Sequence, residues 1–165
     1  MDAGTQFDRA RMLAAMGRTA EAVALLDEVL RADPAHHGGL LLRAELYAEE
    51  REWEKTLTLN ERAVKLWPRS AEALNALARR LHAVGRDEEA MKMAHEARAL
   101  LGEGDNFTQT AAVYLTLVWC LREMRRYREA IAVAEEGLAR MPDAVLAQWA
   151  TEIEEELIAA EKERC

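Results

Sequence analysis

The chain has 165 residues, of which 50% are hydrophobic but only 5% aromatic, and its 30 acidic and 22 basic side chains give a net charge of −8. That make-up fits a single domain of helices packed through Ala and Leu, and it lacks the basic face that nucleic-acid phosphates demand. Residues 1–17 hold no basic start followed by an apolar run, and no window approaches the ~18 apolar residues of a membrane span, so neither a signal peptide nor membrane insertion is expected and the cytoplasm is the expected location. Cys120 and Cys165 cannot form a disulfide framework; the first reads as a small helix residue and the second as a residue of a fraying end.

In chain order, the first helix is expected over 5–16, with Asp2 or Thr5 as its cap and Phe7, Ala10, Leu13 and Ala14 as its apolar stripe. The second runs over 19–32 and stops at Asp33-Pro34, because the residue before Pro avoids helical angles. Helices over 40–50 and 53–66 follow, then 74–84 and 87–101. In the last pair Leu74, Leu77, Ala78 and Leu81 recur at spacings of three and four, and Ala90, Met91, Ala94 and Ala97 do the same. Gly85 suits the left-handed end of the earlier helix, and Asp87 is expected to cap the later one. Residues 102–107, Gly102-Glu103-Gly104-Asp105-Asn106 and the apolar Phe107, read as a surface loop, although loops also carry function. Helices over 108–124 and 127–140 come next. After Pro142 the register slips by two residues, Asp143 becomes a cap, and Leu146, Trp149, Ala150, Ile153, Leu157 and Ala160 form the stripe of an acidic terminal helix within 143–165.

Sliding the chain by 34 residues superposes Ala22 on Thr56 and Ala90, and Pro34 on Pro68; a fourth copy follows after six extra residues, since Ala90 to Ala130 is a step of 40. Two helices per period of 34 is the mark of a tetratricopeptide array. With Met16-Gly17, Ala22, Leu26 and Pro34, then Tyr47, Trp53, Ala63 and Pro68, then Leu77-Ala78, Leu81, Gly85, Ala90 and Ala97, then Leu117, Leu121, Tyr127, Ala130 and Pro142, the chain resembles a tetratricopeptide repeat (TPR) protein. It departs from that pattern at Thr56, where the family has Ala, at Arg51 and Arg125, where it has Gly, and at Gly102, where it has Pro. The resemblance implies an all-α fold, a right-handed superhelix of four hairpins (3–36, 37–70, 71–104 and 111–142) closed by a capping helix over 143–165, in one domain. A repeat buries its apolar face only against its neighbours, so the terminal units are expected to differ.

No constellation for chemistry is found. His36-His37 lie between repeats, His82 and His95 are on different helices, and none has a carboxylate or Cys at ligand spacing, so no metal is expected. There is no nucleophile motif, Gly-rich phosphate loop or dinucleotide fingerprint, so neither catalysis nor a cofactor is expected. Arg122, Arg125, Arg126 and Arg128 form the one dense basic cluster and read as a solvated turn. The resemblance implies instead a partner-binding groove lined by the first helix of each repeat, which places there Phe7 and Arg11, Leu41 and Glu45, Asn75, Arg79 and His82, and Leu115, Trp119 and Arg122. The occupant would be a peptide or amphipathic helix of a protein. A homo-oligomer is compatible with the sequence but not indicated by it. The clamp with which chaperone-tail binders hold a terminal carboxylate would fall on Phe7, Arg11, Leu42, Glu72 and Ala76, and is absent. Two roles compete: a cytoplasmic scaffold or adaptor, and a dedicated chaperone for a secreted partner, similar to the class II type III secretion chaperones.

Overall fold

Where the chain reverses within each hairpin it uses one device four times. In the computed structural model, which describes residues 2–102 and 105–163, the amide of Arg18 donates to the Leu13 carbonyl, Glu52 to Tyr47, Arg86 to Leu81 and Arg126 to Leu121, each at 2.9 Å. This is the six-to-one closure of a Schellman motif, and it requires a left-handed residue just before the donor. Gly17 (φ 73°) and Gly85 (φ 78°) supply it without a Cβ clash, while Arg51 (φ 60°) and Arg125 (φ 56°) supply it against one. The two departures from glycine noted above thus keep the turn and carry its strain.

Among the described residues there are nine helices and no strand: α1 (Ala3–Ala15), α2 (Thr19–Ala32), α3 (His37–Glu49), α4 (Trp53–Leu66), α5 (Ala71–Ala83), α6 (Asp87–Ala99), α7 (Phe107–Glu123), α8 (Tyr127–Arg140) and α9 (Ala144–Lys162). The first helix of every pair has a side-chain cap, from Asp2, His36, Ser70 and Asn106 in turn, and α9 has one from Asp143. These caps start α1, α3 and α5 two or three residues earlier than the apolar stripes suggest. The second helices have no side-chain cap. At α2, α6 and α8 the N-cap arginine instead grips a glutamate three residues on, as Arg18–Glu21, Arg86–Glu89 and Arg126–Glu129 (2.7, 2.7 and 2.6 Å), and α4 uses the reversed pair Glu52–Lys55. Asp87 is therefore not a cap. The turn consumes Arg86 as N-cap, and Asp87 falls inside the helix, where its carboxylate meets His82.

The helices gather into two compact units, 1–68 and 69–165, whose boundary coincides with the end of the second repeat. In the first unit α1 packs on α2 and α3, α2 on α3, and α3 on α4. Ala10, Leu13, Ala22, Leu26 and Leu46 form its core, with Phe7 and Leu42 packed against them. Arg43 is buried there, its Nε 3.0 Å from Asp27 and its guanidinium 4.0 Å above the Tyr47 ring, so the buried charge has both a counter-ion and a π face. In the second unit α5 packs on α6 and α7, α6 on α7, and α7 and α8 on each other and on α9. The small residues that set the period, Ala22, Thr56, Ala90 and Ala130, are all fully buried, and the Thr56 hydroxyl is satisfied by the Glu52 carbonyl at 3.0 Å.

The six extra residues before the fourth hairpin are absorbed mainly as one more turn in α7, which has 17 residues where α1, α3 and α5 have 13, and the rest as a longer connection. Within that connection the Gly102 amide donates to Asp105, and Arg140 holds the Gly102 carbonyl at 3.0 Å. Glu103 and Gly104 of the loop, and Cys165, lie outside the described residues. Cys120 is buried on α7, which pushes its thiol up to about 12.

Candidate functional site

Successive first helices touch within each unit, so side chains one repeat apart share a face. On the first unit that face carries Phe7 and Leu41, both half-buried, with Arg11 and Glu45 exposed. Phe7 is drawn inward: its ring lies 4.9 Å from the His36 ring and occupies the space that a side chain on Gly38 would need. Among the described residues Arg11 is engaged by its own neighbour Asp8 at 3.3 Å.

On the second unit the face is built by α5 and α7. Asn75 is only 6% exposed, and its Oδ1 has no hydrogen-bond partner among the described residues. Leu115 is half-buried. One turn along, Asp87 Oδ1 lies 2.6 Å from His82 Nδ1, and the His82 ring meets Trp119 edge-on at 4.3 Å and 89°. The imidazole is thus fixed from one side by a carboxylate and from the other by the indole, which remains half-buried. Arg79 is exposed, and its guanidinium makes no hydrogen bond or ion pair among the described residues, so it is a cation without a counter-charge beside that aromatic pair.

Arg122, expected to run alongside as a second available cation, is already committed. Its Nη1 lies 3.0 Å from Glu152 and its Nε 3.0 Å from Glu156, both on α9, and the Glu156 pair holds the guanidinium firmly protonated. Gln148 and then Arg122 keep the Glu152 carboxyl below its usual range. This bridge was hidden by the two-residue slip of the last helix: Glu156 stands 34 residues after Arg122, but the slip, which sets Ile153 opposite Leu121, makes Glu154 the repeat equivalent of Arg122. The His82–Trp119 contact was equally hidden, because each residue sits one helical turn away from the other's repeat equivalent. Among the described residues no three His, Cys, Asp or Glu side chains converge as a metal site would require. Among the described residues the face offers an aromatic edge, a leucine, a buried amide and an uncommitted arginine.

Antiparallel hairpins closed by the same turn and packed through small residues at a fixed period define a helical-repeat protein. A tetratricopeptide-repeat family model matches residues 8–32 and 70–103, and over those stretches the chain carries tetratricopeptide repeats. In fold it is similar to MamA (TM-score 0.69, 20% identity over 97% of this chain and 88% of that one). It is also similar to TTC0263, a thermophilic TPR protein of Thermus thermophilus (0.78, 16%, 94% and 83%). A third similar structure is PilF of Pseudomonas aeruginosa (0.81, 20%, 97% and 72%). At such identities the likeness is one of fold. A search of curated proteins found no match. No helix among the described residues is long and apolar enough to cross a membrane.

Proposed function

We propose that the chain is a non-catalytic cytoplasmic adaptor that holds a peptide or amphipathic helix of a partner protein against the face of its first helices, with Trp119 as anchor. The observation that carries this reading is the Asp87–His82–Trp119 stack beside the uncommitted Arg79. An aromatic that is already ordered loses little side-chain freedom on binding, and aromatic anchors dominate interface energies. Phe7, Leu41 and Leu115 would supply further apolar contact on their units, Asn75 a buried amide, and Arg79 a rim charge. Arg11 and Glu45 would lie at the edge, and Arg122 would act only by keeping α9 in place.

The test begins with affinity capture from the native lysate, followed by titration calorimetry of the recovered partner. Trp119→Ala should weaken that partner by roughly tenfold or more, as loss of an anchor does, while urea melts show a folded protein. Reversing Arg79 to Glu should act more weakly, and its effect should fade as salt rises. Unchanged affinity in folded Trp119→Ala would remove this face from consideration. Recovery of one secreted protein, rather than several cytosolic subunits, would assign the same face to a dedicated chaperone.

A further inference from the structure

The turn of the fourth hairpin stands beside an unusually long helix. α9 has 19 residues where α1, α3 and α5 have 13. Leu157, Ala160 and Glu161 in its C-terminal half wall a cleft of about 380 Å³ whose other side is Arg125, Arg126, Tyr127, Arg128 and Glu129. A second hollow continues from it past Arg125 and Tyr127 to Arg122, Glu123 and Glu156. The charges of the first cleft do not balance. Arg126 is held by Glu129 (2.6 Å) and Arg128 by Glu161 (2.8 Å), and these two pairs leave Arg125 over. Its guanidinium makes no hydrogen bond or ion pair among the described residues. Yet its backbone takes the left-handed conformation that glycine fills at 17 and 85. Arg125 thus stands where the backbone favours glycine, lines this cleft, and gives it one positive charge unmatched among the described residues.

We propose that this cleft binds a partner segment bearing one carboxylate next to one apolar side chain. Arg125 meets the carboxylate, and Leu157, Ala160 and the Tyr127 ring receive the apolar group. The surface is separate from the Trp119 face and does not depend on it. The carboxylate belongs to an acidic side chain or to a chain terminus, and the two sources are separable with short peptides.

The experiment is a two-dimensional amide NMR titration of the full chain with three peptides: Gly-Ser-Gly-Ser-Gly-Leu with a free C-terminus, the same peptide amidated, and acetyl-Gly-Ser-Leu-Glu-Ser-Gly-amide. At least one carboxylate peptide should give saturable shifts at Arg125 to Glu129 and Leu157 to Glu161 in the millimolar range, and whichever binds names the source. The amidated leucine peptide should give none. Arg125→Gly should weaken the binding peptide about tenfold, the scale of one lost charge-assisted contact, while unfolding at higher urea than the parent, because the turn strain is gone. Arg51→Gly is the control: it relieves the same strain in the second turn and should leave the titration unchanged. Absence of saturable shifts with both carboxylate peptides overturns the proposal, and so does an Arg125→Gly variant that binds as tightly as the parent.

Discussion

The third and fourth hairpins share one plan and fill it differently. At equivalent positions the third has Leu74 and Ala97, and the fourth has Tyr114 and Gly137, all four buried. The tyrosine fits because its counterpart has lost its last carbon. A Cβ on Gly137 would lie 2.9 Å from the Tyr114 ring and 2.6 Å from Leu146 of α9. The larger side chain also brings a hydroxyl, which donates to Glu136 at 2.8 Å, and Glu136 in turn holds Arg98 of the third hairpin at 3.1 Å. Packed layers tolerate exchange when summed volume is kept, so a repeat can drift in sequence by paired changes while its period stays.

The sharpest way to break this pairing is Gly137→Ala, expected to cost about 1–3 kcal/mol in urea unfolding because overpacked cores strain side chains and backbone. Adding Tyr114→Leu, which recreates the Leu–Ala pair of the third hairpin, should recover part of that loss, with the remainder due to Leu146. A double-mutant cycle with zero coupling would mean that the two substitutions are unrelated.

The turns differ next. Gly85→Arg would give the third hairpin the left-handed arginine of the fourth, at an expected cost of about 1 kcal/mol. An unchanged melt would show that arginine sits there without strain.

The smallest effect is one of acidity. His95 of α6 corresponds to Glu135 of α8, and burial, then Arg98 and Arg126, hold its pKa below the ordinary 6.5. The unfolded chain therefore takes up the proton first, so this residue lowers stability as pH falls through and below that value and leaves stability unchanged above it. His95→Gln should flatten the curve in that window. An identical pH profile for the variant would mean that the imidazole titrates alike in both states.

The period carried most of the fold in readable form. It put Ala22, Thr56, Ala90 and Ala130 at the closest packing, and α2, α4 and α8 have the bounds that the stripes predict. The starts of α1, α3 and α5 were less legible because capping is local chemistry that periodicity does not see. His36 caps α3 through its ring Nδ1, a role for which Ser, Thr, Asp and Asn are the usual residues. Assigning Asp87 as a cap failed for a related reason: the turn closure moves the cap to Arg86 and leaves the acid free for His82. Of the candidate site, the face of each residue was legible but its engagement was not. Asn75 and Arg79 look alike as polar positions on one stripe, and only the packing of α5 on α7 buries one and leaves the other free.

The thiol of Cys120 has a practical consequence. Alkylating reagents attack the thiolate, and this thiol is both enclosed and held protonated far above neutrality. In the folded chain it is therefore chemically silent, and reaction at Cys120 requires the α7 layer to open. Pulsed alkylation read by peptide mass would then time that opening in the second unit, a clock already built into the native sequence and needing no introduced label.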